Sequence, residues 1–265
     1  MTILIERRLG TAPYWMPIER GWVDIDEEVR VVESPTTAEL REHDGLMLVD
    51  TLLGSTVAGS SLIVADHAVA ADSISLLTMV TSGRPDAIER VTVSAPGISL
   101  TGRAIAEIVI PEFYGIEIAG WSDEPADVSA ETIVITEDEG ALLPTSIETD
   151  YHEDLGRAWF LLTDTPFVSD ICLAPEDAVQ NDPDSVRASV AALDRMLSAA
   201  NDQRRLLRRN ISRDHDIDRD LVVDVFDGLK FELTAAGRNG VMTLFQRTGV
   251  AGRIGSIEDR FISLG

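Results

Sequence analysis

Short apolar runs alternate with amphipathic segments along the first two thirds of this chain, and that alternation most restricts its fold. Runs such as Ile3–Ile5, Leu46–Val49 and Ile133–Ile135 have the length of strands. Helix starts lie between many of them, for example at Thr36, where Glu39 occupies the capping-box position. Strands that alternate with helices predict an α/β protein with mixed, mostly parallel sheets flanked by helices.

Helices dominate the last third of the predicted structure. Pro183 stands between two aspartates, which is typical of a helix start, because proline fits the first position and carboxylates favour the positive end. The apolar spacing that follows predicts one long helix to about Ile211. Two further helices are predicted near Arg219–Phe226 and Ala235–Thr248.

Length and charge restrict the partners of this chain. Its 265 residues suffice for one large core or for two smaller lobes. A formal net charge of −24 disfavours nucleic acid, whose phosphates need a basic face, and equally disfavours an anionic membrane surface. The N-terminal residues lack the apolar core of a signal peptide, and no apolar run approaches about 18 residues. We therefore expect an acidic cytoplasmic protein without nucleic-acid or membrane partners.

The segment 131–168 carries the most specific local pattern. Its apolar run ends in an acidic turn, Glu137–Gly140, and a helix-like stretch begins after Asp154. The polar turn Thr163–Pro166 then returns the chain to an apolar run at Phe167. Open α/β sheets bind small ligands at the carboxyl ends of their strands. Small polar residues at strand ends therefore predict a ligand cleft.

Four strings occur in an order that resembles a known family. They are Thr11–Ile18, Gly45–Thr51, Arg90–Gly102, and a series made of Asp138–Leu143, Asp154–Trp159 and Thr165–Val168. In this order they resemble the MqnA/MqnD-like proteins of the futalosine route to menaquinone, roughly over residues 1–250. The resemblance implies a two-lobed periplasmic-binding-protein fold of type 2.

The resemblance also implies how the chain divides between the lobes. Lobe one would hold residues 1–92 and 172–265, and lobe two would hold residues 93–171. The hinge would lie near 92–95 and 165–172. A hinge of this kind lets two lobes close on a ligand and exclude water.

The resemblance is nearest to the chorismate dehydratase branch of the family. It implies a carbon–oxygen lyase that acts on a cyclic carboxylate and needs no cofactor. The branch usually carries an asparagine in the first turn, where this chain has Tyr14 or Trp15. One alternative is therefore a non-catalytic carboxylate binder or sensor with the same fold. Another is an oligomeric scaffold or homodimer in which the C-terminal helices form the interface.

The substrate-binding candidates with the clearest chemistry flank a predicted helix start. They are Ser94, Ser99, Thr101 and Gly102. Free backbone N–H groups at a helix start, together with hydroxyls and the helix dipole, make a site for a carboxylate. Because the substrates implied by the resemblance are carboxylates, we expect these residues to bind the substrate. The alternative is that Ser99 or Thr101 only caps the helix.

Other candidates follow other predicted strands. Asp50 is a candidate general base, since burial raises a carboxylate pKa, and Thr51 is a candidate donor to a ligand oxygen. Asp138 is the second catalytic candidate, and Thr165 is a candidate cleft hydroxyl. Helix caps and plain turns are the alternatives for these positions.

Two aromatic residues complete the predicted substrate site. Tyr14 and Trp15 follow the first strand, where their rings could stack on a cyclic ligand or pack in the core. The four histidines lack the spacing of zinc ligands, and the lone Cys172 lies in an apolar run. We therefore expect no metal site and no cofactor.

Overall fold

The computed structural model describes residues 1–72, 75–143, 150–254 and 256–264. The strands within these ranges are β1 (Ile3–Glu6), β2 (Val29–Val32), β3 (Leu46–Asp50), β4 (Ser61–Ala71), β5 (Leu77–Thr81), β6 (Arg90–Ser94), β7 (Glu117–Ser122), β8 (Thr132–Glu137), β9 (Tyr151–Asp154), β10 (Phe167–Pro175), β11 (Leu229–Lys230) and β12 (Phe261–Ile262). The helices are α1 (Ala12–Glu19), α2 (Thr37–Glu42), α3 (Thr51–Ser55), α4 (Leu100–Glu112), α5 (Glu139–Leu142), α6 (Leu155–Thr163), α7 (Glu176–Asn181), α8 (Pro183–Asp202), α9 (Arg204–His215), α10 (Arg219–Gly228), α11 (Ala235–Arg247) and α12 (Ala251–Ile254). Residues 144–149 of the segment 131–168 lie outside the described part.

The first sheet contains both chain termini of the described part. Its order is β11-β4-β10-β3-β1-β2, and β12 also pairs with β4. β1 runs parallel to β2 and β3, whereas β10 runs antiparallel to β3 and β4. Every residue of β1 and β3 is buried, because helices cover both faces of these strands. This covering explains why the two strands read as continuous apolar runs.

The second sheet has the order β7-β6-β8-β5-β9. β6 runs parallel to β7 and β8, and β5 runs antiparallel to β8 and β9. Parallel pairing, which the alternation predicted, therefore holds around β1 and β6. The two long strands that join the sheets, β4 and β10, pair antiparallel to each other.

The chain passes between the sheets at two neighbouring places. It leaves the first sheet after Ala71 and enters the second at Leu77, and it returns at Phe167, which pairs with Ala71. The sequence prediction placed the first passage near residues 92–95. The strand pairing corrects this, because β5 and β6 both pair within the second sheet and so place residues 77–94 there.

Apolar side chains form a core on each face of the first sheet and another core against the second. Ile3 and Ile5 point to the face that α1, α8 and α10 cover, while Leu4 points to the face covered by α3 and α11. The second sheet packs against α4 and α6. Each sheet is thus covered by helices of its own, which leaves the strand ends of the two sheets to face each other.

Helix boundaries follow the sequence signals with one exception. The capping box at Thr36 and the start of α8 at Pro183 are both present as predicted. The long helix predicted to Ile211 is instead broken at Gln203, between α8 and α9. The periodicity concealed the break because both helices present apolar side chains to the same core. No helix in the described ranges is long and apolar enough to cross a membrane.

Candidate functional site

A cavity of about 620 Å³ lies where strand ends of the two sheets meet. The first sheet contributes Glu6–Arg8, after β1, and Asp50, at the end of β3. The second contributes the loop Gly97–Leu100, after β6, and Glu137–Glu139, after β8. All four strands present their carboxyl ends here, which is where open α/β sheets place their ligands. The side chain of His215, from the end of α9, also lines this cavity.

A second cavity of about 720 Å³ lies beside α5 and the start of α10. Leu142, Leu143 and Leu221 supply much of its wall. We take the first cavity as the candidate site, because four parallel-strand ends and a buried arginine meet there.

Arg8 is the centre of the site. Its side chain is only 6% exposed, although it carries a full charge. Nε donates a hydrogen bond to Asp138 Oδ2 at 3.1 Å, and Nη2 donates to Glu137 Oε1. Nη1 lies 3.5 Å from Asp50 Oδ2 and 3.6 Å from Asp170 Oδ1. Among the described residues, however, Nη1 has no hydrogen-bond acceptor in good geometry.

Local contacts fix the backbone that carries Arg8. Thr11 Oγ1 accepts a hydrogen bond from the Arg8 N–H at 3.1 Å and donates to the Glu6 carbonyl at 2.7 Å. The Trp15 indole N–H donates to the Arg8 carbonyl at 3.1 Å. The turn between β1 and α1 is therefore held by its own side chains, and it aims Arg8 toward the second sheet.

The start of α4 and Arg8 both donate hydrogen bonds to the carboxylate of Glu137. Ser99 N–H donates to Glu137 Oε2 at 2.7 Å, and Ser99 Oγ donates to Glu137 Oε1 at 2.9 Å. Ser99 Oγ also accepts from Gly102 N–H and so caps the helix, as predicted. A Cβ on Gly102 would lie 3.0 Å from Glu137 Oε1, so glycine allows the carboxylate to approach. The result is a carboxylate-binding site filled by a carboxylate of the protein itself.

Asp50 accepts hydrogen bonds from the starts of two helices, one packed on each sheet. Its Oδ1 accepts from Leu53 N–H at 2.8 Å, which caps α3, and its Oδ2 accepts from Thr101 N–H at 3.1 Å. Thr101 Oγ1 accepts from Leu52 N–H at 2.9 Å in return. This reciprocal capping places α3 and α4 end to end across the cavity floor.

Carboxyl groups crowd the site, and their pKa values shift accordingly. Burial, followed by the charge of Asp170, raises the pKa of Glu6 to about 8. Burial raises the pKa of Glu137 to about 7 and that of Asp170 to about 6, although Arg8 acts against both shifts. Burial alone would lower the pKa of Arg8, but Asp138 and the other carboxylates raise it well above its usual range. Arg8 is therefore always charged, while some carboxyl groups hold protons near neutral pH.

The structure brings several of the predicted site residues together. Asp50, Ser99 and Asp138 line the cavity, and Thr101 and Gly102 lie in the first turn of α4 behind it. The main-chain donors that we expected to be free for a ligand are engaged, since Ser99 N–H binds Glu137 and Thr101 N–H binds Asp50. The hydroxyl of Thr51 is buried and donates to the Val168 carbonyl at 2.8 Å, so it faces the protein interior.

Four other predicted residues lie away from the cavity. Tyr14 is fully buried and donates to the Phe231 carbonyl at 3.2 Å, and Trp15 packs under Arg7. Both rings point inward because their turn folds into α1, which packs against α8. The hydroxyls of Ser94 and Thr165 bond to the Glu124 carbonyl and the Thr163 hydroxyl, respectively. None of these four residues lines the cavity in this structure.

Sequence reasoning missed Arg8, Glu6 and Glu137 as site residues. A signal for the first two was present, because the first apolar run ends directly in Glu6-Arg7-Arg8. Glu137 lies in the acidic turn Glu137–Gly140, where the sequence favours Asp138 as the candidate because it follows the apolar run. The sequence could not show that Arg8 contacts Glu137 and Asp138, since these contacts span about 130 positions of sequence.

Among the residues that the structure describes, no group of three or more His, Cys, Asp or Glu side chains could hold a metal ion. Cys172 is fully buried in β10, and burial raises the pKa of its thiol far above neutrality.

Two mixed sheets, joined by two neighbouring crossings and with a cavity between their strand ends, define the architecture of this chain. Solved structures share it. A protein of Archaeoglobus fulgidus, AF1704, matches with a TM-score of 0.70 at 12% identity, over 96% of this chain and 98% of that one. The periplasmic aliphatic sulphonate-binding protein SsuA of Escherichia coli matches with a TM-score of 0.65 at 11% identity, over 98% and 91% of the two chains.

A third structure names the fold directly. The Candida albicans CA3427 gene product, described as having the generic periplasmic-binding-protein fold, matches with a TM-score of 0.57 at 12% identity, over 98% of this chain and 94% of that one. The chain is thus a protein of the periplasmic-binding-protein fold, and the predicted α/β fold is confirmed.

The sequence itself assigns the family. A profile described as menaquinone biosynthesis matches residues 48–249, and the chain belongs to that family. The predicted family relationship is confirmed. No curated protein sequence gives a significant match to this chain.

Proposed function

We propose that the protein is a chorismate dehydratase-type lyase, which removes water from a cyclic carboxylate in menaquinone biosynthesis. The substrate would bind in the cavity between the two sheets, and the reaction would take place in the cytoplasm. The observation that carries the proposal is that Arg8 and Ser99 donate hydrogen bonds to one carboxylate, which is that of Glu137. A guanidinium and a helix start are the groups that a substrate carboxylate needs.

The size and position of the cavity support a substrate of this class. A volume of about 620 Å³ lies within the usual range of small-molecule sites and accommodates one substituted ring. Strand ends of both sheets supply its polar groups, so a ligand there would contact both lobes. We propose that the crossings near Ala71 and Phe167 act as the hinge on which the lobes close.

The proposed elimination needs one base and one acid. The base removes a ring C–H proton, the freed electron pair forms the new double bond, and the neighbouring C–O bond breaks. The leaving hydroxide takes a proton from the acid and departs as water. Glu6 suits the acid, because a pKa of about 8 keeps its carboxyl protonated at neutral pH.

Asp138 is the stronger of the two predicted candidates for the base. Its side chain is 19% exposed and lines the cavity, whereas that of Asp50 is 2% exposed and bonds two helix starts. The substrate's own carboxylate is the alternative base. Either base would be held in a fixed position against the ring. This orientation lowers the barrier, because proton removal then occurs within one complex.

Incubation with chorismate tests the proposal. We expect mass spectrometry to detect a product that has lost one water, and we expect Glu6→Gln to form it at least about 100-fold more slowly, as for loss of a general acid. Glu117→Gln, at an exposed edge of the second sheet, is the control and should keep the wild-type rate. No product from the wild type would contradict the lyase.

One observation favours a second function, a non-catalytic carboxylate binder. Both Asp138 oxygens already accept hydrogen bonds, Oδ2 from Arg8 and Oδ1 from Leu9 N–H, so neither is free to contact a substrate proton. An acid-binding role also fits the printed function of the E. coli relative in fold, which is sulphonate binding. A rise in unfolding temperature with chorismate, without turnover, would favour the binder.

A further inference from the structure

Glu137 is bound within this protein much as a ligand would be. Both of its oxygens accept hydrogen bonds from Ser99, at 2.7 and 2.9 Å, and Arg8 donates to one of them. The side chain is 8% exposed and spans from the end of β8 to the start of α4. Three donors, one of them charged, therefore converge on a single carboxylate at the cavity wall.

The helix does not need Glu137 as a cap. Ser99 caps α4 by itself, through its contact with Gly102 N–H at 2.9 Å. Nor does Arg8 lack other partners, because Asp138 bonds to its Nε and two further carboxylates lie near Nη1. Glu137 thus adds a further carboxylate to a site that is already acidic.

An unsatisfied donor points to a further acceptor at this place. The Nη1 atom of Arg8 is buried and, within the described ranges, has no hydrogen-bond acceptor. A buried donor without an acceptor is unfavourable, because it has lost its hydrogen bond to water without a replacement. The Arg8 side chain lines the cavity, so an anion that entered there would meet a guanidinium with donor capacity to spare.

We propose that Glu137 is the resident carboxylate of an exchange site, and that a ligand carboxylate replaces it on Ser99 and Arg8. The identity of the ligand as a cyclic carboxylate rests on the proposed function, but the exchange itself does not. The displaced Glu137 side chain would turn toward the cavity, which it already lines.

Exchange would weaken the apparent affinity for a ligand, and it would change the contact between the two sheets. A tethered carboxylate competes with every ligand, so the apparent dissociation constant is the intrinsic constant divided by the fraction of time that Glu137 leaves the site free. Arg8 belongs to the first sheet and Glu137 to the second, so their contact already bridges the two sheets. A ligand that replaces Glu137 would take over this bridge, and the sheets would stay together during binding.

Acetate is a probe that tests the exchange site without reference to any substrate. Glu137→Ala removes the resident carboxylate and leaves space for a small one. We expect sodium acetate to raise the unfolding temperature of Glu137→Ala above its value in sodium chloride of equal concentration. The wild type and the control Glu117→Ala should show no such preference for acetate. If acetate shifts all three proteins equally, or does not shift Glu137→Ala, the exchange site is overturned.

The same comparison works if Glu137→Ala folds poorly. The readout is then its refolding yield, which acetate should increase relative to chloride. An equal yield in the two salts would contradict the proposal.

Chorismate then separates the exchange site from the proposed function. Glu137→Gln keeps the shape of the side chain but competes weakly, so we expect it to bind chorismate at least about tenfold more tightly than the wild type. Equal or weaker binding would overturn exchange. If acetate rescues Glu137→Ala but neither protein binds chorismate, exchange stands and the proposed substrate is wrong.

Discussion

At the scale of single residues, the site is dominated by one buried cation among carboxylates. Arg8 contacts carboxylates of both sheets, namely Asp50 and Asp170 from the first and Glu137 and Asp138 from the second. Removing one partner of a buried ion pair is far more harmful than removing an exposed one, because it leaves uncompensated charge. The stability of the protein and its proposed affinity for carboxylates therefore depend on the same side chain.

Replacing Arg8 tests this dependence. We expect Arg8→Met to lower the free energy of unfolding by about 3–5 kcal/mol, since several buried carboxylates lose their cation. The neighbouring Arg7→Met should lower it by about 1 kcal/mol or less, because Arg7 forms exposed ion pairs. Denaturant unfolding of both variants at pH 7 measures the difference. Equal losses would show that Arg8 has no special role.

Glu6 gives the site a measurable pH dependence. Its pKa is raised to about 8, so between the normal carboxyl range and pH 8 the folded protein holds a proton that the unfolded chain has released. The contribution of Glu6 is therefore most favourable at low pH and is lost as the pH rises through 8, by up to about 1.4 kcal/mol per pH unit.

Glu6→Gln should abolish this part of the dependence. We expect the stability difference between wild type and Glu6→Gln to shift against the wild type as the pH rises from 5 to 8, measured by urea unfolding at each pH. Glu117→Gln should run parallel to the wild type. Parallel curves for Glu6→Gln as well would place the Glu6 pKa in the ordinary range.

At the scale of elements, the backbone at the start of α4 lies close to the carboxylate of Glu137. Ser99 caps the helix, and Gly102 leaves room for Glu137 and for Ile98, each about 3.0 Å from where a Cβ would stand. Thr101 and Asp50 hold this helix start against α3 of the other sheet. The carboxylate site is therefore part of the contact between the two sheets.

Gly102→Ala measures how closely Glu137 fits. Alanine favours a helix over glycine by about 1 kcal/mol, but here its Cβ would press on the Glu137 carboxylate. We expect Gly102→Ala to be more harmful in the wild type than in a Glu137→Ala background, with a coupling energy of about 0.5–3 kcal/mol in a double-mutant cycle. Additive effects would mean that the two positions do not meet.

At the scale of the whole molecule, local signals were sufficient for the alternating strands and helices but not for the site, and the two-lobed architecture was implied only by the family resemblance. Strand alternation and caps such as Thr36 and Ser99 depend on neighbours in sequence, so they could be predicted. The site depends on which strand ends face each other. Arg8 meets Glu137 only because two sheets meet, and Tyr14 is drawn into the core by α8, far along the chain. No local pattern contains that information.

The central claim is that this cavity receives a ligand carboxylate at Ser99 and Arg8. A crystal structure of the protein with bound chorismate tests it most directly. The account predicts a chorismate carboxylate within hydrogen-bond distance of Ser99 N–H and the Arg8 guanidinium, with the Glu137 side chain turned away. Chorismate bound elsewhere, or bound in the cavity with Glu137 still on Ser99, would contradict it.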